Sequence, residues 1–151
     1  MDDKAKQEYI DFAVGTLLKG GTLKEIRGIS NDELEAVYTV AYNFYRAGQY
    51  KEADTLFCFL THLDHLNPKF WIGLGAVRQA KKEFEAAFDA YSYAAFLDAR
   101  DPKPQYYAAV CLLALGDKEK AATVISTMQQ VCEKDSENAR KYFAKAKDLQ
   151  L

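Results

Sequence analysis

Cys58, His62 and His65 are spaced i, i+4 and i+7, which on a helix sets one thiol and two imidazoles along a common face. Such a trio could ligate zinc. The plainer reading is a half-buried thiol followed by two histidines near a helix C-terminus, where the macrodipole favours positive charge. On that reading no metal is expected. Gly73-Leu74-Gly75 lies inside a helical pattern and lacks the third glycine of a phosphate-binding loop. With two histidines in all, and no Ser/His/Asp or Cys/His arrangement at a known spacing, no catalytic triad can be assembled. The carboxylates fall on solvated helix faces. A protein that is not an enzyme and uses no cofactor is therefore expected.

The residues that stand out are aromatic. At about 100° per residue, Val37, Val40, Ala41 and Phe44 occupy one arc about 100° wide. Tyr38, Tyr42 and Tyr45 occupy a second arc about 60° wide, centred about 115° from the first. One arc suffices to dock a helix on its neighbour, so two mean either a helix buried on several sides or a helix with one face kept for something else. Tyrosine suits recognition: it offers a large rigid contact area, few rotors to freeze, and a hydroxyl for peptide backbone.

The elements that carry these residues follow from composition and period. The 151 residues are enough for one domain with a core, and 49% apolar with 28% charged residues is ordinary for a soluble globular chain. A net charge of −2 without runs of like charge gives no electrostatic case for nucleic acid or a membrane surface. No stretch approaches the length of a transmembrane helix, and the acidic start "MDDKAKQEYIDF" does not read as a signal peptide. Cys58, Cys111 and Cys132 are odd in number and widely spaced, which suggests a reduced, cytoplasmic protein.

Ala53, Ala87 and Ala121 are 34 residues apart, and so are Pro68, Pro102 and Ser136, preceded by Asn67, Asp101 and Asp135. A period of this length with small residues at these offsets is that of the tetratricopeptide repeat. Unit one supplies Val37, Val40, Ala41, Phe44, Ala53 and Phe57; unit two Trp71, Leu74, Gly75, Ala87 and Tyr91. Unit three supplies Ala108, Ala109, Leu112, Ala121 and Ile125, with Gln105 where a bulky residue is expected. The prolines should open helices, and their closeness to Trp71 and its counterpart predicts tightened turns between units. Capping-box spacing in Ser30 to Glu33 marks the first repeat helix. Gly48 and Gly116 mark the turns of units one and three. The expected fold is all-α: three tandem repeats in an α-α superhelix over residues 30–135 (about 34–67, 68–101 and 102–135). A helical region at 1–29, with one amphipathic helix over about 3–18, precedes them, and a capping helix at 136–151 follows.

The leading helix of each repeat lines the concave surface of such an array, through its second, fifth, ninth and twelfth positions. These are Glu35, Tyr38, Tyr42, Tyr45; Lys69, Ile72, Ala76, Gln79; and Lys103, Tyr106, Val110, Leu113. The Lys and Asn that clamp a carboxylate in modules holding heat-shock chaperone C-termini are absent. The ligand should be an extended, apolar, internal segment. Packing of the tyrosines on the N-terminal helix, or on a second copy, is the alternative use of this face.

The segments "GGTLKEIRGI", "YTVAYNFYRAGQYKEADTLFCFLTHLDHLNPKFWIGLGAV" and "DPKPQYYAAVCLL" resemble the class II chaperones of type III secretion systems, the low-calcium-response group. The resemblance covers about residues 12–132, and its most specific parts are "GxTLK", the Y-x-x-x-Y-x-x-Y helix and "NPxFxxGL". It implies a cytoplasmic chaperone of a Gram-negative bacterium that binds hydrophobic translocator proteins. An N-terminal client segment would lie extended in the groove, with Tyr38, Tyr42, Tyr45 and Tyr91 building its pockets. It also implies a homodimer formed through roughly residues 7–29. The competing expectation is a generic tetratricopeptide scaffold between folded proteins.

Overall fold

A computed structural model describes residues 2–132, 134 and 136–151. Among these residues there are nine helices and no strand: α1 (Asp3–Leu18), α2 (Leu23–Arg27), α3 (Asn31–Arg46), α4 (Tyr50–Leu63), α5 (Pro68–Ala80), α6 (Phe84–Leu97), α7 (Pro102–Ala114), α8 (Lys118–Val131) and α9 (Glu137–Lys147). Helices α3/α4, α5/α6 and α7/α8 form three hairpins, stacked in chain order.

Local chemistry sets the boundaries. The Ser30 side chain accepts from the Glu33 N–H at 3.2 Å, and Glu33 accepts from the Ser30 N–H at 2.8 Å, closing a capping box at α3. That bonding holds the Glu33 carboxyl below its usual range. Pro68 and Pro102 occupy the first turn of their helices, behind Asn67 and Asp101, whose side chains accept from the N–H groups of Lys69 (3.1 Å) and Lys103 (2.9 Å). Asp135, aligned with these caps by sequence, lies outside the described residues. The turns between units take four residues (64–67 and 98–101), against three inside each hairpin, so they are short without being the tightest turns present.

Gly48 (φ 76°) and Gly116 (φ 84°) adopt the left-handed conformation that ends α3 and α7. Lys82, 34 residues from each, takes the same conformation (φ 62°) although a side chain disfavours it. The repeat geometry dictates the turn, and unit two meets it without glycine.

Small residues recur where paired helices touch: Ala41 and Ala109 at one offset and Ala53, Ala87 and Ala121 at another all show 0% exposure. Gly75 continues the first series because an alanine Cβ there would stand 2.8 Å from the Tyr91 ring. Val40, expected in the core arc, is instead 48% exposed, since Ala41 and the half-buried Val37 and Phe44 already fill the contact with α4. In unit two the Trp71 ring lies 4.5 Å from Tyr93 and its indole N–H donates to the His65 carbonyl at 2.9 Å. One repeat later the buried Gln105 donates to the Ala99 carbonyl at 2.8 Å. The amide keeps the hydrogen bond of the indole without its bulk.

Helix α1 stands apart. Its principal contact is with α2, and Tyr9, Ile10, Phe12, Val14 and Leu17 are exposed. The α2 segment is tied to unit one by an ion pair between Lys24 and the buried Asp64, 2.5 Å apart. At the other end α9 packs on α7, burying Tyr142 against Tyr106 and Tyr107. Among the described residues no helix is long and apolar enough to cross a membrane.

Candidate peptide-binding groove

The leading helices α3, α5 and α7 enclose an open trough of about 500 Å³. One wall is the tyrosine row of α3. Tyr38 and Tyr42 stack at 6.3 Å with their planes 7° apart, and Tyr45 follows at 6.3 Å from Tyr42. The sequence spacing produces this row directly, because residues four and three apart are neighbours on a helix surface. Tyr42 stays 44% exposed, so the row is not absorbed into the core.

The floor comes from the second helices. Phe57 of α4 reaches between α3 and α5, meeting Tyr38 edge-on at 5.6 Å. It fits because position 73 has no side chain: a Cβ on Gly73 would lie 2.2 Å from the Phe57 ring. Gly73 and Gly75 thus make room for Phe57 and Tyr91 respectively, which accounts for a Gly-Leu-Gly sequence inside a helix. Tyr91 of α6 is buried and donates its hydroxyl to Gln79 Oε1 at 2.9 Å. Tyr107 of α7 stacks on Tyr91 at 5.6 Å, and with Ile72, Ala76 and Lys103 completes the lining.

Burial, then the nearby Glu35 carboxylate, pushes the Tyr38 hydroxyl above its ordinary value. Burial raises Tyr45 and, more strongly, Tyr91. At the rim, the Lys69 ammonium bonds both Glu35 oxygens (2.6 and 2.9 Å) and sits 3.9 Å from the Tyr38 ring centre, a cation–π contact.

The Cys58, His62 and His65 trio does not converge. The His62 ring pairs with the Cys58 carbonyl at 2.7 Å, while the Cys58 sulfur faces Arg78 at 3.5 Å. Among the described residues no three His, Cys, Asp or Glu side chains are grouped to hold a metal ion.

The tetratricopeptide repeat profile matches residues 34–67 and 68–101. Low calcium response locus protein H of Yersinia pestis is 39% identical over 126 residues, 83% of this chain and 74% of that protein. A type III secretion complex from Aeromonas hydrophila contains a chain of the same shape, with TM-score 0.85 and 37% identity over 92% of both chains. The Yersinia enterocolitica type III secretion chaperone SycD, solved with a peptide of the translocator YopD, aligns with TM-score 0.68 and 32% identity over 82% of this chain and 98% of that one. The chain belongs to the type III secretion translocator-chaperone family. Members of this family are chaperones, and the resemblance carried by "GxTLK", the tyrosine helix and "NPxFxxGL" is thereby borne out.

In this family member the structure brings Tyr38, Tyr42, Tyr45, Ile72, Ala76, Gln79, Tyr91 and Lys103, all expected at the groove, to one cavity. Tyr106, Val110 and Leu113 are not on its lining. Tyr106 and Leu113 pack toward the C-terminal cluster, with Tyr106 lying 5.5 Å from Tyr142 of α9. Helix α9 packs against α7 beside them. Phe57, Gly73, Ala80 and Tyr107 join the lining without having been assigned to it. Phe57 reads as a core residue in sequence. The signal for Tyr107 is its register: it stands 34 residues after Gly73, at a position already at the trough in unit two.

Proposed function

We propose that this protein keeps a hydrophobic translocator soluble and export-competent by holding an extended apolar segment from the client's N-terminal region in the trough between α3, α5 and α7. One observation carries the reading. A chain of the translocator-chaperone family presents an open row of three tyrosines over a floor of Phe57 and Tyr91, unsealed by its own side chains. Tyr38, Tyr42 and Tyr45 form the wall against which client side chains pack. Gln79 and the phenols supply hydrogen bonds to its backbone. A disordered segment loses ordering entropy on binding, so affinity is moderate and release to the export machinery needs no nucleotide. The work belongs in the cytoplasm of a Gram-negative bacterium, before export. The exposed apolar face of α1, within the region 7–29, supports a homodimer.

Co-expression with candidate translocators tests the reading: the client stays soluble with the wild-type chain. Tyr38→Ala with Tyr45→Ala releases it while circular dichroism shows the helices intact. Tyr42→Ala, at the most exposed ring of the row, weakens capture with the least effect on the fold. If the client stays bound to the double variant, the groove is not its site.

A further inference from the structure

The second positions of the successive 34-residue units, and the matching residue that opens α9, are Glu35, Lys69, Lys103 and Glu137, each 34 residues from the last. The first two neutralise one another, since Lys69 bonds both Glu35 oxygens and rests on Tyr38. Lys103 is different. It is the only charged side chain among the described residues that line the trough, and none of their carboxylates, Glu137 included, pairs with its ammonium. Its helix position is fixed by the Asp101 cap on its backbone N–H. Gln79, elsewhere on the lining, already answers a neutral need: Tyr91 donates to its Oε1, which leaves the amide N–H₂ to meet backbone carbonyls of an extended strand.

We propose that Lys103 determines client specificity by pairing with an acidic side chain set among the apolar residues of the bound segment. This rests on the groove reading above. An apolar strand laid over the trough strips water from an uncompensated ammonium, which costs affinity unless the strand supplies the counter-charge. The tyrosine wall accepts many apolar sequences, so it discriminates poorly. A single cation on the lining sets the register of the strand and rejects segments that place a lysine or arginine there.

The test is selection from a random peptide display library on the folded wild-type chaperone and its Lys103→Gln and Lys103→Glu variants. The wild type enriches Asp or Glu at one fixed place between apolar residues, and Lys103→Glu enriches Lys or Arg at that same place. For a selected peptide, changing its acid to the amide weakens binding to the wild type about fivefold, the scale of a half-exposed ion pair. That change has no effect on binding to Lys103→Gln, and salt erases the difference. Apolar enrichment without an acidic position, or an acidic preference that survives Lys103→Glu, overturns the role of Lys103 and leaves the groove reading standing. No apolar enrichment at all overturns both.

Discussion

Gly73→Ala should destabilise this protein, although alanine is the better helix former. In an open helix interior the exchange gains about 1 kcal/mol. At position 73 the new Cβ would lie 2.2, 2.6 and 2.7 Å from three carbons of the Phe57 ring, against the roughly 3.5–4.0 Å at which carbon atoms rest. The ring would have to retreat by more than about 1 Å. It has little room, being 1% exposed with Tyr38 edge-on at 5.6 Å. Overpacking costs about 1–3 kcal/mol, and a contact of 2.2 Å belongs in the upper part of that range, about 2–3 kcal/mol, so it wins over the propensity gain. A net loss of about 1–2 kcal/mol lowers the melting temperature by about 2–8 °C in a chain of this size. Because Phe57 is the floor of the trough, peptide capture should fall as well. Gly15→Ala in α1 is the control, since its Cβ meets no atom within 4 Å, and that variant should be neutral or slightly more stable. Thermal and urea unfolding of both variants, with peptide binding alongside, decides the matter. A Gly73→Ala protein as stable as the wild type, with binding intact, would refute the account of the floor.

Three further outcomes follow from the repeat geometry and the buried acids. Lys82→Gly relieves a side chain held at φ 62° and should stabilise by about 0.5–1 kcal/mol in urea unfolding, whereas Gly48→Lys should cost a similar amount. Gln105 and Thr127 stand where unit two has the Trp71–Tyr93 pair, and both line a cavity of about 320 Å³ beside Phe88 and Phe96. Gln105→Trp with Thr127→Tyr should fill it and raise the melting temperature, while Gln105→Leu should lower stability by about 1 kcal/mol, because the Ala99 carbonyl loses its amide donor and keeps only the weak Cys132 thiol at 3.6 Å. Stability should fall in alkali. Burial raises the Cys111 thiol from 9.0 to about 11 and also raises Tyr38, Tyr45, Tyr91 and Tyr142. Above pH 9 the unfolded chain releases these protons first, so it binds fewer than the folded one and the slope is negative. Cys111 alone accounts for about 2 kcal/mol between pH 9 and 11. Unfolding free energy measured from pH 8 to 11 should decline across that window.

What sequence could reveal depended on whether a feature repeats. Ala53, Ala87 and Ala121 are buried at one offset because every hairpin needs the same close approach, so period and fold were legible together. The Ser30 capping box and the helix-opening prolines were legible because their partners lie within a few residues. The tyrosine wall was legible because it lies on one helix. The floor was not, since Phe57 enters the trough through a gap that exists only because residue 73, on another helix, lacks a side chain. Tyr106 and Leu113 lie off the lining of the trough for a related reason. Counting inward positions treats every unit alike, but unit three has α9 beside it, and Tyr142 fixes where the Tyr106 ring lies.

Trp71 is the chain's lone tryptophan, held beside Tyr93 and outside the trough. Its emission is therefore a gauge of whether hairpin two is intact and nearly blind to an occupant settling among the tyrosines. Titrations read only at tryptophan wavelengths would report silence where a peptide had bound, so the light has to come from the ligand.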